Sequence, residues 1–279
     1  MVRPPAVAGT FYPAKATELA RQIDEFCAIA DSGARAKIRA IACTVPHAGY
    51  MYSGHVAGAV YAELDIPERC ILLGPRHIPQ GQPLAILTEG SWRTPFGDAK
   101  IDGQLAGDIA RAFPLLREDT VAHAREHSLE VQIPFLQRLA QRHGRGFRFA
   151  PVVFASDRYP VLEELGRAVA QTVVKADATQ SGPILIIAST DMNHYESDAA
   201  TRVKDSRAIE RIVALDARGL YDTVRNEGIT MCGYAATVAT IVAACELGAT
   251  EARLVRYATS GDVSGDYSRV VGYAGVLIY

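Results

Sequence analysis

The chain has 279 residues, 49% of them hydrophobic and 22% charged, with a formal net charge of −2. That is enough for a large apolar core, in one large domain or two modest ones. Lys and Arg are interspersed with Asp and Glu, which excludes the basic stripe of a nucleic-acid binder. No apolar run nears the roughly 20 residues that span a bilayer.

The opening residues, MVRPPAVAGTFYPAK, lack the apolar segment of a secretory signal. The expected location is the cytoplasm. Five cysteines stand far apart without a CxxC pair, as reduced thiols in a reducing compartment would.

The elements follow in order. ATELARQIDEFCAIA puts Leu19, Ile23, Phe26 and Cys27 on one helical face. IRAIACTV is a buried strand, and SGHVAGAVYAEL a helix that Ser53 could cap. RCILLG is a second buried strand. PLAILTEGSWRTPFGD predicts a short strand, a turn and a return. DGQLAGDIARAF is helical. HSLEVQIPFLQRLAQRHG is mostly helical, with Pro134 either a kink or the true start. FRFAPVVF is a strand, and YPVLEELGRAVAQTVVKA a helix with Pro160 in its first turn.

PILIIAST is the third strongly buried strand. Two helices follow, over roughly 197–215 and 216–226, and then the alanine-rich helix GYAATVATIVAACELG. EARLVRYAT and RVVGYAGVLIY close the chain as consecutive strands. Loops are expected near 177–183 and 259–268. Helices alternating with apolar strands imply an α/β layer structure, with one domain over 1–279 and a mixed, mostly parallel central sheet flanked by helices.

Three of these strands finish alike. IACTVPH ends at His47, ILLGPRH at His77, and ILIIASTDMNH at Asp191 and His194. In an open α/β sheet the carboxyl ends of the strands border the ligand crevice. Pro46 helps terminate sheet pairing, and Gly49 and Gly74 permit tight turns. A lone histidine at a strand end is usually a hydrogen-bonded loop residue. Three strand ends repeating the pattern point to a shared site.

Cys232 lies just before the alanine-rich helix. There the helix dipole favours a thiolate, available as nucleophile or metal ligand; the alternative is a small buried residue at a helix start. His47, His77 and Cys232 together would make a three-ligand metal site with open positions. Imidazole suits zinc, copper and iron, and thiolate favours softer ions. The site would be a variant of the two-histidine, one-carboxylate triad of non-haem iron oxygenases. Asp191 and His194 would then be further ligands, partners that fix a tautomer, or proton carriers.

In HAREHSLEVQIPF, His127 and Glu130 are three apart, on one face if helical. They could form an acid/base pair that meets substrate, or a surface salt link, which the spacing favours. Tyr50 and Tyr195 follow His47 and His194 and could line a pocket, though core packing would use them equally well.

The motifs VAGTFYP, PHAGYMYSGH, LGPRH, WRTPFGD, EHSLEVQIPF, STDMNHY and MCGY occur in order over nearly the whole chain. In this the sequence resembles the Memo family, called AmmeMemoRadiSam system protein B in prokaryotes. The resemblance implies a single α/β domain like that of class III extradiol dioxygenases, with a metal-binding cleft. By motif position, His47, His77 and Cys232 match the family's metal-site residues, Asp191 and His194 match residues beside that site, and His127 matches a cleft histidine. Where the family often has a second histidine or polar residue after the GPxH histidine, this chain has Ile78.

The expected activity is that of a metal-dependent oxidoreductase, a non-haem oxygenase with Fe(II), or copper, acting on a small aromatic or phenolic substrate. Two alternatives stand beside it. One is a binding module for a peptide or a partner protein; the family resemblance implies AMMECR-type and radical SAM proteins as partners. The other is a zinc-dependent hydrolase in which Asp191 or His194 activates water.

Overall fold

A computed structural model describes residues 1–30, 37–178 and 182–279. Strand β1 (Val2–Arg3) opens the chain, followed by helix α1 (Ala16–Ala30) and strand β2 (Ala42–Val45). Helix α2 (Tyr50–Glu63) leads to β3 (Arg69–Pro75). The short strands β4 (Leu84–Ile86), β5 (Ser91–Thr94) and β6 (Gly97–Ile101) precede helix α3 (Gly103–Ala112). Next come β7 (Arg117–Glu118), α4 (Thr120–Ala124), a 3₁₀ turn over Glu130–Gln132 and α5 (Ile133–Arg142). Strand β8 (Arg148–Phe154) and helix α6 (Tyr159–Ala178) end the first half.

The second half begins with β9 (Ile184–Ser189), β10 (His194–Glu196), α7 (Asp198–Val213) and α8 (Ala217–Asn226). It closes with α9 (Tyr234–Glu246), β11 (Ala252–Thr259), the short helix α10 (Gly261–Ser264) and β12 (Val270–Ile278).

The result is a single α/β domain around one mixed sheet, with strands in the order β1-β5-β6-β8-β3-β9-β2-β12-β10. The central strands β6, β8, β3, β9 and β2 run parallel. Of these, β8, β3, β9 and β2 are almost wholly buried because helices cover both faces, whereas β6 is mostly exposed. The consecutive strands β11 and β12 pair antiparallel, and β12 also joins β2 antiparallel, so the sheet is mixed as the sequence predicts.

One feature of this order positions the site. Strand β9 lies between β3 and β2 and is parallel to both. The three strands that end in His77, in Asp191 with His194, and in His47 are therefore adjacent and emerge on one edge.

The structure departs from the sequence reading at several ends. The buried strand before His47 is only Ala42–Val45, and Ile38 makes an isolated bridge to Leu64. Ser53 does not cap α2: the helix starts at Tyr50 with Gly49 before it, and the Ser53 hydroxyl donates to the Ala48 carbonyl. Pro134 marks the start of α5, in whose first turn its missing N–H costs nothing. The expected loop over 259–268 contains α10. The one over 177–183 falls partly on 179–181, outside the described residues.

Candidate metal centre

His47 follows β2 by two residues and is 2% exposed. Its backbone N–H donates to Asp191 Oδ1 at 2.7 Å. Its Nδ1 lies 3.0 Å from Ser189 Oγ at the end of β9. The Ser189 hydroxyl has one proton, which it donates to the Ser128 carbonyl at 2.6 Å, and it accepts from Gln132 Nε2 at 2.9 Å. With that proton committed, Ser189 receives the Nδ1–H of His47. The His47 Nε2 lone pair then points the other way, to Cys232 Sγ at 3.2 Å.

His77 is oriented by the same logic with a different partner. Its Nδ1 lies 2.9 Å from Glu126 Oε1, and its backbone N–H donates to Glu126 Oε2 at 2.5 Å. A carboxylate only accepts, so Nδ1 carries the proton and Nε2 is left for a ligand. Glu126 is fully buried and also accepts from the Ser128 backbone at 2.8 Å. His127 Nδ1 stands 3.6 Å from the same carboxylate. The rings of His77 and His127 stack at 4.6 Å, and His47 meets both edge-on at 5.2 and 5.6 Å.

Cys232 reaches this cluster because α9 begins hard against β9. A Cβ on Gly233 would collide with the Ser189 carbonyl and the Thr190 side chain, so the contact requires glycine. The Asp191 backbone N–H donates to Cys232 Sγ at 3.4 Å.

Among the described residues two groups of ligand atoms result, each mutually within 4.8 Å: His47, His77 and His127; and His47, Asp191 and Cys232. The expected set of His47, His77 and Cys232 is thus divided between two groups that share His47.

Charge follows geometry. Burial, then the neighbouring His77 and His127, hold the His47 imidazole neutral by lowering its pKa well below the ordinary value. Burial likewise lowers His127. At His77 burial works downward, but the Glu126 hydrogen bond and charge outweigh it and the pKa rises. Burial pushes Asp191 up. Burial and Asp191 push the Cys232 thiol well up, outweighing the backbone amides. This reverses the expectation of an acidic thiol at a helix start: removing the group from water exceeds what the helix terminus returns.

These donors fit a transition-metal ion. Two imidazoles have their Nδ1–H taken, by Ser189 at His47 and by Glu126 at His77, which turns Nε2 toward a cation that would also relieve the cost of a buried thiolate and carboxylate.

The remaining expected residues lie elsewhere. His194 is outside both groups, anchored by its backbone N–H to Thr230 Oγ1 at 2.7 Å and by Nδ1 to the Thr230 carbonyl at 2.8 Å. Tyr195, beside it, is 64% exposed at the rim. Tyr50 is a core residue: its hydroxyl donates to the Val131 carbonyl at 2.7 Å, and its ring packs on Tyr12 and Phe135. Nor is Glu130 a surface residue or free for substrate. It is fully buried, and its carboxylate accepts from Arg3, Tyr12 and the backbone of Ala6 and Val7. The acid beside the histidines is Glu126. It was discoverable only as the residue preceding His127 in EHSLE, because helical spacing does not apply in this non-helical stretch. Ser189 and Gln132 carried no signal.

The family described as Memo-like protein matches residues 3–277. The chain belongs to the Memo-like family. Similar Memo-like relatives are MEMO1 family proteins of Methanopyrus kandleri, 43% identical over 99% of both chains, and of Aquifex aeolicus, 42% identical over 99% of this chain and 98% of the relative. A third, from Thermococcus kodakarensis, is 38% identical over 99% of each. In this Memo-like chain no helix among the described residues is long and apolar enough to cross a membrane.

Proposed function

We propose that this Memo-like protein holds iron(II) at the His47-centred cluster and acts as a non-haem oxygenase, or a related redox enzyme, on a small phenolic substrate. The observation that supports it most is the pair of fixed tautomers. Ser189 and Glu126 each take an Nδ1–H, so Nε2 is the nitrogen that His47 and His77 turn to a metal. His127 completes a three-donor set with His47 and His77, and Asp191 with Cys232 completes a second with His47; either leaves positions open.

Bound iron would supply the redox chemistry and the site for oxygen and substrate. The chain's own residues do the rest. Glu126 holds His77 and places a negative charge beside His127. His194 donates Nδ1–H to a carbonyl, so Nε2 is the ring nitrogen left to meet a ligand at the rim. Asp191 orients the His47 backbone through its accepted N–H. The fold relationship to class III extradiol dioxygenases belongs to the same proposal. So does a cytoplasmic setting, which suits five cysteines that are not joined in disulfides.

Copper is the alternative ion, favoured by the thiol, and zinc would make the site hydrolytic. Anaerobic loading with iron followed by oxygen-electrode assays on a catechol panel tests the proposal. Oxygen uptake with ring cleavage is the expected result. Stoichiometric zinc in freshly purified protein, regardless of iron supply, would favour hydrolysis instead.

A further inference from the structure

The rim of the centre carries an outlier. Tyr195 has φ 62, one of two non-glycine residues with positive φ among the described residues. It occupies a bulge: His194 and Glu196 pair with Val271 and Val270, so two steps on β10 oppose one on β12. A bulky residue in the left-handed region is strained and persists where surroundings impose it. No packing requires it here, since the side chain is 64% exposed.

The bulge instead places the ring between two partners. His194 lies on one side at 5.7 Å, and the Arg269 guanidinium sits over the ring at 5.1 Å. Arg269 is exposed and makes no ion pair among the described residues, unlike Arg202 on the neighbouring helix, which pairs with Asp198 and Asp262. Tyr273 is buried nearby in a small cluster against which Tyr52 packs. The rim thus carries an exposed phenol between His194 and a cation that has no ion pair among the described residues.

We propose that Arg269, held on the Tyr195 ring, is a specificity residue that selects phenols bearing a carboxylate. A flat aromatic acid would set its hydroxyl toward the histidine cluster and its carboxylate on the guanidinium fork, whose geometry matches carboxylate. The ring would lie along Tyr195 and Tyr52. This inference rests on the reading of the cleft as a phenol site and narrows it to aromatic acids.

Calorimetric titration of the full-length protein with 4-hydroxybenzoate and its neutral analogue 4-hydroxybenzamide tests it. The acid should bind about five- to tenfold tighter, with a ratio that shrinks as salt rises. Arg269→Gln should bring the ratio near one without changing the melting temperature, and Arg269→Lys should retain part of it. Equal binding of both probes to wild type, or a ratio that survives Arg269→Gln, overturns the assignment of Arg269 while leaving the phenol reading standing. Binding of neither probe overturns both.

Discussion

Glu126 grips His77 at two points, through the ring Nδ1 at 2.9 Å and the backbone N–H at 2.5 Å. One carboxylate therefore sets both the path of the loop after β3 and the direction of the imidazole on it. Ser189 does the same for the ring of His47 with a neutral hydroxyl.

Glu126→Gln removes the fixed acceptor, because the amide can turn its NH₂ toward the ring. Metal affinity should fall about 10–100-fold with the fold retained. Competition with a chromophoric chelator would measure it. An unchanged affinity would mean that Glu126 is not an orienting partner.

The two ligand groups share only His47. His47→Ala should abolish stoichiometric metal. His77→Ala leaves His47, Asp191 and Cys232, and Cys232→Ala leaves the three imidazoles, so each should weaken binding without eliminating it. Cys232→Ala should also lower the preference for copper over zinc, since the soft donor is gone. Elemental analysis of the three variants ranks them.

Asp205 is fully buried and accepts from the Asn193 backbone and the Tyr257 hydroxyl. Burial raises its pKa to about 7 from 3.8. Between those values the folded state holds a proton that the unfolded state has released, so this group's contribution is complete below pH 3.8 and lost as pH rises to about 7. Buried His123 acts in the opposite sense. Burial holds it near 3 against 6.5, so its contribution is complete above pH 6.5 and lost as pH falls. The two slopes offset each other in the window they share. Asp205→Asn exposes the His123 arm: relative to wild type, its stability should rise by about 1.4 kcal/mol per pH unit from pH 4 to 7. Urea midpoints across that range would show parallel curves if Asp205 were ordinary.

Arg3 reaches Glu130 at 2.6 Å in an ion pair closed to solvent, and also donates to the His123 and Glu126 carbonyls. Arg3→Met strands the Glu130 carboxylate and should cost about 3–5 kcal/mol. It also frees the backbone of Glu126, so metal affinity should drop as well. Denaturant unfolding and metal titration report the two effects separately.

Helices α1 and α2 touch through glycine. A Cβ on Gly58 would stand 2.6 Å from Phe26 Cβ and 2.8 Å from its backbone carbon. Gly58→Ala should therefore destabilise by about 1–3 kcal/mol despite the better helix propensity of alanine. A melting temperature at or above wild type would show that the helices can part without cost.

The order of helices and strands, the one-domain α/β class and the shared strand-end pattern of His47, His77 and Asp191 with His194 were all legible in the sequence, because apolar periodicity and strand-terminating proline are local properties. Cys232 was legible as the residue before the alanine-rich helix, and motif resemblance added His127 as a cleft residue. Which residues meet was not local. It depended on β9 lying between β2 and β3, on α9 abutting β9 through Gly233, and on an irregular segment bringing Glu126 under His77. That segment also turned Glu130 inward to Arg3 and left Tyr50 in the core. Side-chain types fixed by the chain define what chemistry is available. Their protonation and partners depend on burial and distance, which only the assembled fold sets.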